Sequence, residues 1–171
     1  MKSSNSRHLI GDVDGGLMKA ITLWQPWASL IAFGLKTYET RTWSTKYRGP
    51  LAIHAAKREA IKYEALDWTF SVRTTVLANL GQPEYLPRGA VICIVDLVDC
   101  RPTDVVRPEL VNMDPYFGDY LPGRFAWKLA NVRRVGPFTA RGAQGFWEWD
   151  PLGAVESEER RKAEKKQIDL L

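Results

Sequence analysis

Hydrophobic and polar residues alternate along much of the chain, and this pattern predicts where its β-strands lie. Alternation with a period of two predicts strands over residues 19–24, 37–43 and 124–135. Two more strands are predicted over 51–55 and 88–100, where nearly continuous apolar runs indicate burial on both faces. The pattern therefore predicts a domain built largely on a β-sheet.

Two helices are predicted between these strands. A short helix over 27–33 begins after Pro26, which suits a first helical turn, and ends at Gly34, which tolerates a left-handed C-terminal conformation. A longer amphipathic helix is predicted over 58–80, where the period changes to about 3.6 residues, with Gly81 closing it. Its apolar stripe consists of Ile61, Ala65, Trp68, Val72, Val76 and Leu80.

The remaining segments divide the chain into a leader, one domain and a tail. Residues 1–17 are rich in Ser, Asn, Asp and Gly and are predicted to be a flexible leader, and residues 18–153 form the domain. Within it, 101–122 is predicted to be a long loop with room for a helical turn. Residues 154–171 are predicted to form a charged, solvated tail helix whose removal costs little stability. Its apolar residues are Val155, Ile168, Leu170 and Leu171.

Composition and cysteine usage limit the class of protein. A chain of 171 residues with 45% hydrophobic content has enough apolar surface for one core. No apolar run approaches the roughly 20 residues that cross a bilayer, and no signal-peptide pattern is present, so a cytoplasmic protein without membrane contact is expected. Cys93 and Cys100 are predicted to be reduced and to face opposite sides of one strand. Two cysteines and two histidines make no convincing zinc site, so neither metal nor cofactor is predicted.

Positive charge is concentrated in one segment. The whole chain carries a net charge of +4, but residues 34–58 alone hold six basic residues against Glu39, which gives 6 − 1 = +5. The basic residues are Lys36, Arg41, Lys46, Arg48, Lys57 and Arg58. Tyr38, Trp43 and Tyr47 are interleaved with them and offer stacking surfaces for bases. The segment is therefore predicted to bind a polyanion, the alternative being that these charges are simply solvated.

The sequence Gly34-x-Lys36-x-x-Glu39-x-Arg41 carries the candidate chemistry. On a strand Thr37, Glu39 and Arg41 share one face, and Lys36 joins them only if the turn after Gly34 bends it in. Lys36 is a candidate for holding a phosphate or stabilising an oxyanion. Glu39 is a candidate general base, or an acceptor for a cytosine-like amino group. The alternative is that Glu39 and Arg41 form a structural ion pair.

With residues 25–27 (QPW) before it, this motif resembles the signature of the ASCH domain, a β-barrel family of the PUA-like superfamily. The resemblance continues through 49–56, 125–129 and 142–147 and covers about residues 18–150. It implies an α+β, PUA-like β-barrel of about six strands. A short helix would precede the motif, and a longer amphipathic helix would pack on the barrel. Similar domains include proposed RNA binders, ribonucleases and amidohydrolases that act on acylated cytidine.

The resemblance also implies a set of site residues. Lys36 and Glu39 are the catalytic candidates if the protein is an enzyme. His54 is included although it lies on a buried strand, where a core histidine without a site role is the alternative. The predicted ligand-binding residues are Gln25, Trp27, Lys36, Thr37, Glu39, Arg41, His54, Lys57 and Gln144.

Two functional hypotheses remain open at this point. In the first, the protein binds RNA or a modified nucleoside. In the second, it is a metal-independent hydrolase of RNA or of an N4-acylated cytidine-like nucleoside. The amidohydrolases have a threonine nucleophile where this chain has Glu39, and Thr37 lies about 6–7 Å further along the strand. A hydrolase would therefore use water activated by Glu39, with Lys36 balancing the oxyanion, and the absence of a nucleophile dyad favours binding.

Overall fold

The computed structural model describes residues 16–169, which contain six strands and four α-helices. The strands are β1 (Met18–Leu23), β2 (Tyr38–Arg41), β3 (Gly49–Ala55), β4 (Ala90–Pro102), β5 (Phe125–Thr139) and β6 (Trp147–Trp149). The helices are α1 (Trp27–Ala32), α2 (Phe70–Leu80), α3 (Thr103–Val106) and α4 (Pro151–Ile168). Residues 1–15 of the predicted leader, and Leu170 and Leu171 of the predicted tail, lie outside the described residues.

The six strands form one sheet in the order β2-β5-β4-β3-β1-β6, in which only β1 and β3 pair in parallel. The sheet curls strongly: Arg41, at the end of edge strand β2, donates from Nη2 to the Thr22 carbonyl on β1 at 3.4 Å. Three strands lie between these two in the sheet order. Within the described residues β2 and β6 do not pair, so the sheet stays open. The α+β class with six strands is confirmed, whereas closure into a barrel is not.

Both faces of the central strands are buried, which explains the continuous apolar run in β4. On one face Ile21, Leu51 and Val95 pack with α1 around Trp127. On the other face Ile94 and its neighbours pack against β6 and the start of α4. Because alternate side chains on a strand point to opposite faces, a strand between two cores needs apolar residues at nearly every position.

The amphipathic helix is shorter than predicted, and its predicted start at Arg58 is wrong. Helix α2 begins at Phe70, where the Thr69 hydroxyl caps it by accepting from the Val72 amide at 3.3 Å. The segment before Thr69 forms a 3-10 turn at Tyr63–Ala65 and buries Trp68. The C-terminal half of the predicted stripe is buried as expected, through Val72 and Val76.

Helix α4 begins earlier than predicted and is anchored at its start. Asp150 caps it by accepting from the Gly153 amide at 3.0 Å. Val155 is only 1% exposed and packs in the cluster that contains Met18 and Trp149. Beyond Val155 no residue of the described helix is buried, so that part of α4 is exposed to solvent.

The buried contact of Val155 leads to a stability prediction that differs from the sequence-based one. Val155→Ala removes two buried methyl-sized groups and is expected to lower the free energy of unfolding by about 1.5 kcal/mol. The matched control is Ile168→Ala near the exposed end of α4, which should stay within about 0.5 kcal/mol of the wild type. Urea denaturation measures both, and equal stabilities of the two variants would contradict docking of α4 through Val155.

Candidate functional site

A cleft of about 1070 Å³ opens at the end of the sheet where β1 and β3 end and β4 begins. The segment after β5 closes its other side, and the curl of the sheet brings in the end of β2. Its lining comes from residues 22, 24, 41, 43, 54, 56–57, 88–89 and 139–145. The cleft is therefore assembled from five separate parts of the chain.

The charge of the cleft has one sign. Of residues 16–169, four basic ones line it, Arg41, Lys57, Arg88 and Arg141, and no aspartate or glutamate does. Clustered charges of one sign focus the local potential and raise the concentration of oppositely charged ligands. The cleft is thus suited to an anion.

Two tryptophans supply flat apolar surface in the same cleft. Trp24 is 51% exposed, and the guanidinium carbon of Arg58 lies 3.8 Å from its ring centroid. Trp43 is half-buried, because it packs edge-on against Trp127 and Phe146 at centroid distances of 4.6 and 5.2 Å. An aromatic ligand can therefore stack on rings whose positions are already set by packing.

His54 is the buried polar residue of the cleft wall. Its Nε2 lies 3.0 Å from the Ala140 carbonyl oxygen, which can only accept, so Nε2 carries the proton. Nδ1 is buried and has no hydrogen-bond partner among the described residues. Burial lowers the pKa of the imidazole, so His54 is neutral near pH 7 and Nδ1 holds a free lone pair.

This lowered pKa makes the stability of the fold depend on pH. In the unfolded chain His54 has the ordinary histidine pKa of about 6.5. At pH values below this pKa but above the lowered pKa of the folded chain, the unfolded chain therefore binds more protons than the folded chain. The free energy of unfolding should therefore fall on acidification below about pH 6.5, by at most about 1.4 kcal/mol per pH unit. His54→Gln should make this slope shallower in urea titrations between about pH 5 and 7. A slope unchanged by the substitution would contradict a neutral buried His54.

The turn after Gly34 brings Lys36 to the face that carries Glu39. The amides of Leu35 and Lys36 both donate to the Leu30 carbonyl, at 2.9 and 3.1 Å. Gly34 itself has φ +72°, a conformation that glycine adopts without a steric penalty. The bend that the sequence required for Lys36 to join Glu39 and Arg41 is present.

The motif forms a chain of charges, and one end of that chain reaches the cleft. Lys36 is 2% exposed; its Nζ donates to the Phe117 carbonyl and lies 3.3 Å from Glu39 Oε2. Arg41 Nε lies 3.5 Å from the other oxygen of Glu39. Burial lowers the pKa of Lys36, and the neighbouring Glu39 carboxylate partly counters that shift. Of these three side chains, only Arg41 lines the cleft.

Three other predicted residues serve the scaffold around the cleft. Thr37 donates from its amide and its hydroxyl to the buried Asp114 carboxylate, at 2.7 and 2.6 Å. Gln25 is fully buried, and its amide nitrogen donates to the Ser29 hydroxyl at 2.8 Å. Trp27 packs against Trp68, away from the cleft lining, with ring centroids 5.6 Å apart. The structure brings the other four predicted ligand-binding residues together in the cleft. These are Arg41, His54, Lys57 and Gln144.

Two of the basic residues in the cleft are not among the site residues predicted from sequence. Arg88 lies two residues before the start of β4, and Arg141 lies two residues after the end of β5. Strand pairing joins these ends, because Ala90 is opposite Thr139. Both arginines are followed by glycine, at Gly89 and Gly142. An arginine-glycine pair near a strand end was therefore the sequence signal that could have identified both residues as part of the site.

The described residues offer neither a metal cluster nor a membrane anchor. No group of three or more His, Cys, Asp or Glu side chains in residues 16–169 is placed to hold a metal ion. None of the helices in that part of the chain has both the length and the apolar content needed to cross a bilayer. Cys93 is buried, and burial raises the pKa of its thiol to about 12.

Fold and site together define a small α+β domain with a curled, open sheet and a basic cleft at one end. The chain belongs to the ASCH domain family, since the model of that family matches residues 21–138. ASCH domains are PUA-like and nucleic-acid-related. Activating signal cointegrator 1 from Homo sapiens and the Mus musculus protein of that name are each 34% identical to this chain over 138 residues. The match covers 80% of this chain but 23% of those relatives, so the chain spans about a quarter of their length.

The fold is also similar to that of a solved ASCH protein. A mutant form of the ASCH protein from Zymomonas mobilis aligns with a TM-score of 0.50 at 15% sequence identity. The alignment covers 82% of this chain and 94% of that one. At this level of identity the similarity concerns the fold alone.

Proposed function

We propose that this ASCH domain binds nucleic acid, as RNA or as a modified nucleoside, in the basic cleft. The observation that carries the proposal is the lining of the cleft, which combines four basic residues, two tryptophans and no acid. Phosphates attract the basic side chains, and bases stack on aromatic rings. One cleft thus meets both chemical requirements of a nucleotide.

The geometry suggests different roles for the lining residues. Lys57, Arg88 and Arg141 supply positive charge for phosphate, and Trp24 offers an exposed ring for a base. Arg41 is oriented by Glu39 from behind, so less side-chain freedom is lost when it meets a ligand. The buried chain of charges behind the cleft is best explained as a support for this arginine.

The hydrolase alternative receives no support from the described residues. It requires Glu39 to activate water and Lys36 to balance an oxyanion. Both side chains are buried outside the cleft lining, and Lys36 already donates to the Phe117 carbonyl. The test is incubation with RNA and with a panel of N4-acylated and unmodified nucleosides. Mass spectrometry would then detect both products and retained ligand, and turnover of any panel member would reinstate the hydrolase.

The cleft residues predict a specific loss of salt dependence. The triple variant Lys57→Ser, Arg88→Ser, Arg141→Ser removes three cations from the cleft. In a plot of log affinity against log salt concentration, each phosphate contact to a single strand adds about 0.7 to the size of the slope. Loss of three contacts should therefore reduce the size of the slope by about 2. Fluorescence anisotropy with a labelled RNA at several salt concentrations measures it.

The matched control removes the same charge elsewhere. Arg160, Lys165 and Lys166 lie on the exposed part of α4 and outside the cleft lining. Replacing these three with serine should leave the salt slope near that of the wild type, because long-range effects are screened at ordinary ionic strength. Equal losses in both triple variants would show that net charge, and not the cleft, determines binding.

A further inference from the structure

A second, smaller cavity of about 190 Å³ lies between α1, the end of α2 and the β4–β5 pair. Its rim exposes two aromatic side chains, Phe33 at 40% and Tyr85 at 82%. Within the described part of the chain, Arg134 is its one charged lining residue, and no acid lines it. Neither the predicted site nor the proposed function uses this cavity.

The second cavity repeats an arrangement found at the cleft. The guanidinium carbon of Arg134 lies 4.2 Å from the Phe33 ring centroid, much as Arg58 lies over Trp24 at 3.8 Å. Trp24 and Phe33 flank α1, whose six residues rise about 9 Å. The backbones of the two aromatic residues are thus separated by more than the thickness of one base. Unpaired bases bind to such arginine–aromatic surfaces by stacking.

The two cavities are connected along the backbone. Residues 85–87 line the second cavity and lead directly into 88–89 of the cleft. On the neighbouring strand, residues 134–137 of the second cavity lead into 139–141 of the cleft. Two residues of a strand span about 7 Å, so only a short step separates the two linings.

We propose, resting on the function proposed above, that the ligand is a single strand several nucleotides long and that the second cavity is a base-stacking subsite. Phe33 and Tyr85 would take a base beyond the cleft, while Arg134 adds a stacked positive charge. Together the two linings hold five basic residues and no acid, which favours a polyanion over a protein segment. The strand must be single, because base faces inside a duplex are not available for stacking. The natural ligand class is then an unpaired stretch of RNA or DNA, not a free nucleoside.

The proposal is tested by comparing ligands of two lengths. Affinities are measured by fluorescence anisotropy for a labelled oligouridylate of about eight nucleotides and, by competition, for a uridine dinucleotide. The longer ligand should bind the wild type more tightly. Phe33→Ala and Tyr85→Ala should each weaken its binding by about tenfold, and neither should change the affinity of the dinucleotide. Arg134→Lys should weaken the longer ligand without changing its salt slope, because charge is kept and the planar stack is lost.

Phe70→Ala is the matched control, because Phe70 is 85% exposed and lines neither cavity. It should leave both affinities unchanged, and thermal melts should show all variants folded. Equal affinities of the two ligands for the wild type would overturn the extended site while leaving the cleft proposal intact. Binding of neither ligand would instead overturn RNA binding in the cleft as well and leave only the modified nucleoside of the proposed function. Unchanged binding of the longer strand in both aromatic variants would also overturn the proposal.

Discussion

Replacing Glu39 by glutamine is expected to lower the free energy of unfolding by about 3–5 kcal/mol. Lys36 is only 2% exposed, and its ion pair is made with Glu39 at 3.3 Å. Glutamine removes the charge paired with the buried ammonium and leaves only the weaker electrostatic interaction with the Asp114 carboxylate. An uncompensated charge in such a place is among the most destabilising changes that one substitution can cause.

The opposite substitution should be milder, and this asymmetry is the test. Lys36→Met removes the ammonium but leaves Glu39 beside Arg41, 3.5 Å away, so no buried charge is left alone. The double variant Lys36→Met, Glu39→Gln should accordingly be more stable than Glu39→Gln alone. A double-mutant cycle from urea denaturation gives the coupling free energy between the two residues. A Glu39→Gln protein of wild-type stability that has lost turnover of a nucleoside would contradict the structural role and favour the general base.

The course of the chain through the motif could be predicted well from sequence. Gly34 ends α1, and the alternation from Thr37 onward put Glu39 and Arg41 on one face, as the structure has them. The sequence could not tell whether the turn brings Lys36 to Glu39, because that depends on hydrogen bonds to a carbonyl in the preceding helix. Such bonds follow from backbone geometry, which residue type does not specify.

The cleft was harder to predict because it joins residues that are distant in sequence. Lys57 and Arg88 both line it because β3 pairs with β4, whereas the end of β2 reaches the cleft through the curl of the sheet. Curl is a sum of small twists over many residue pairs, and no single residue encodes it. The motifs that carry the resemblance to the ASCH family include part of the cleft lining but neither Arg88 nor Arg141. Coordinates were needed to separate the cleft residues from supporting residues such as Gln25 and Thr37.

The start of α2 and the attachment of α4 could not be predicted from sequence for a different reason. A stripe from Ile61 to Leu80 fits a helical period, but the Thr69 cap and the burial of Trp68 favour a start at Phe70. The hydrogen bond that the Val72 amide donates to the Thr69 hydroxyl sets the start of the helix, and a hydrophobic period does not reveal it. Periodicity also does not predict how α4 is attached to the sheet, because the attachment depends on the burial of Val155.

Gly142→Ala is expected to disturb the cleft more than any other addition of a single methyl group to its rim. A Cβ at this position would lie 2.5 Å from His54 Nδ1 and 2.5 Å from Thr22 Oγ1. Neither neighbour can easily retreat, since His54 is held by the Ala140 carbonyl and Thr22 accepts from Trp147 Nε1 at 3.2 Å. The segment after β5 must therefore move outward, at a cost of about 2–3 kcal/mol for forced overpacking.

That movement should weaken ligand binding together with stability, because the same segment carries Arg141 and Gln144 into the cleft. Loss of one charge-assisted contact alone corresponds to about a tenfold lower affinity for RNA, and displacement of the whole rim should exceed this. Gly145→Ala is the matched control: its Cβ meets nothing within 4 Å, and its φ of +67° should cost only about 1 kcal/mol of local strain. Anisotropy titrations and urea denaturation of the two variants separate the effects. If Gly142→Ala bound RNA as tightly as Gly145→Ala does, the close contact of this loop with His54 and Thr22 would have no part in shaping the site.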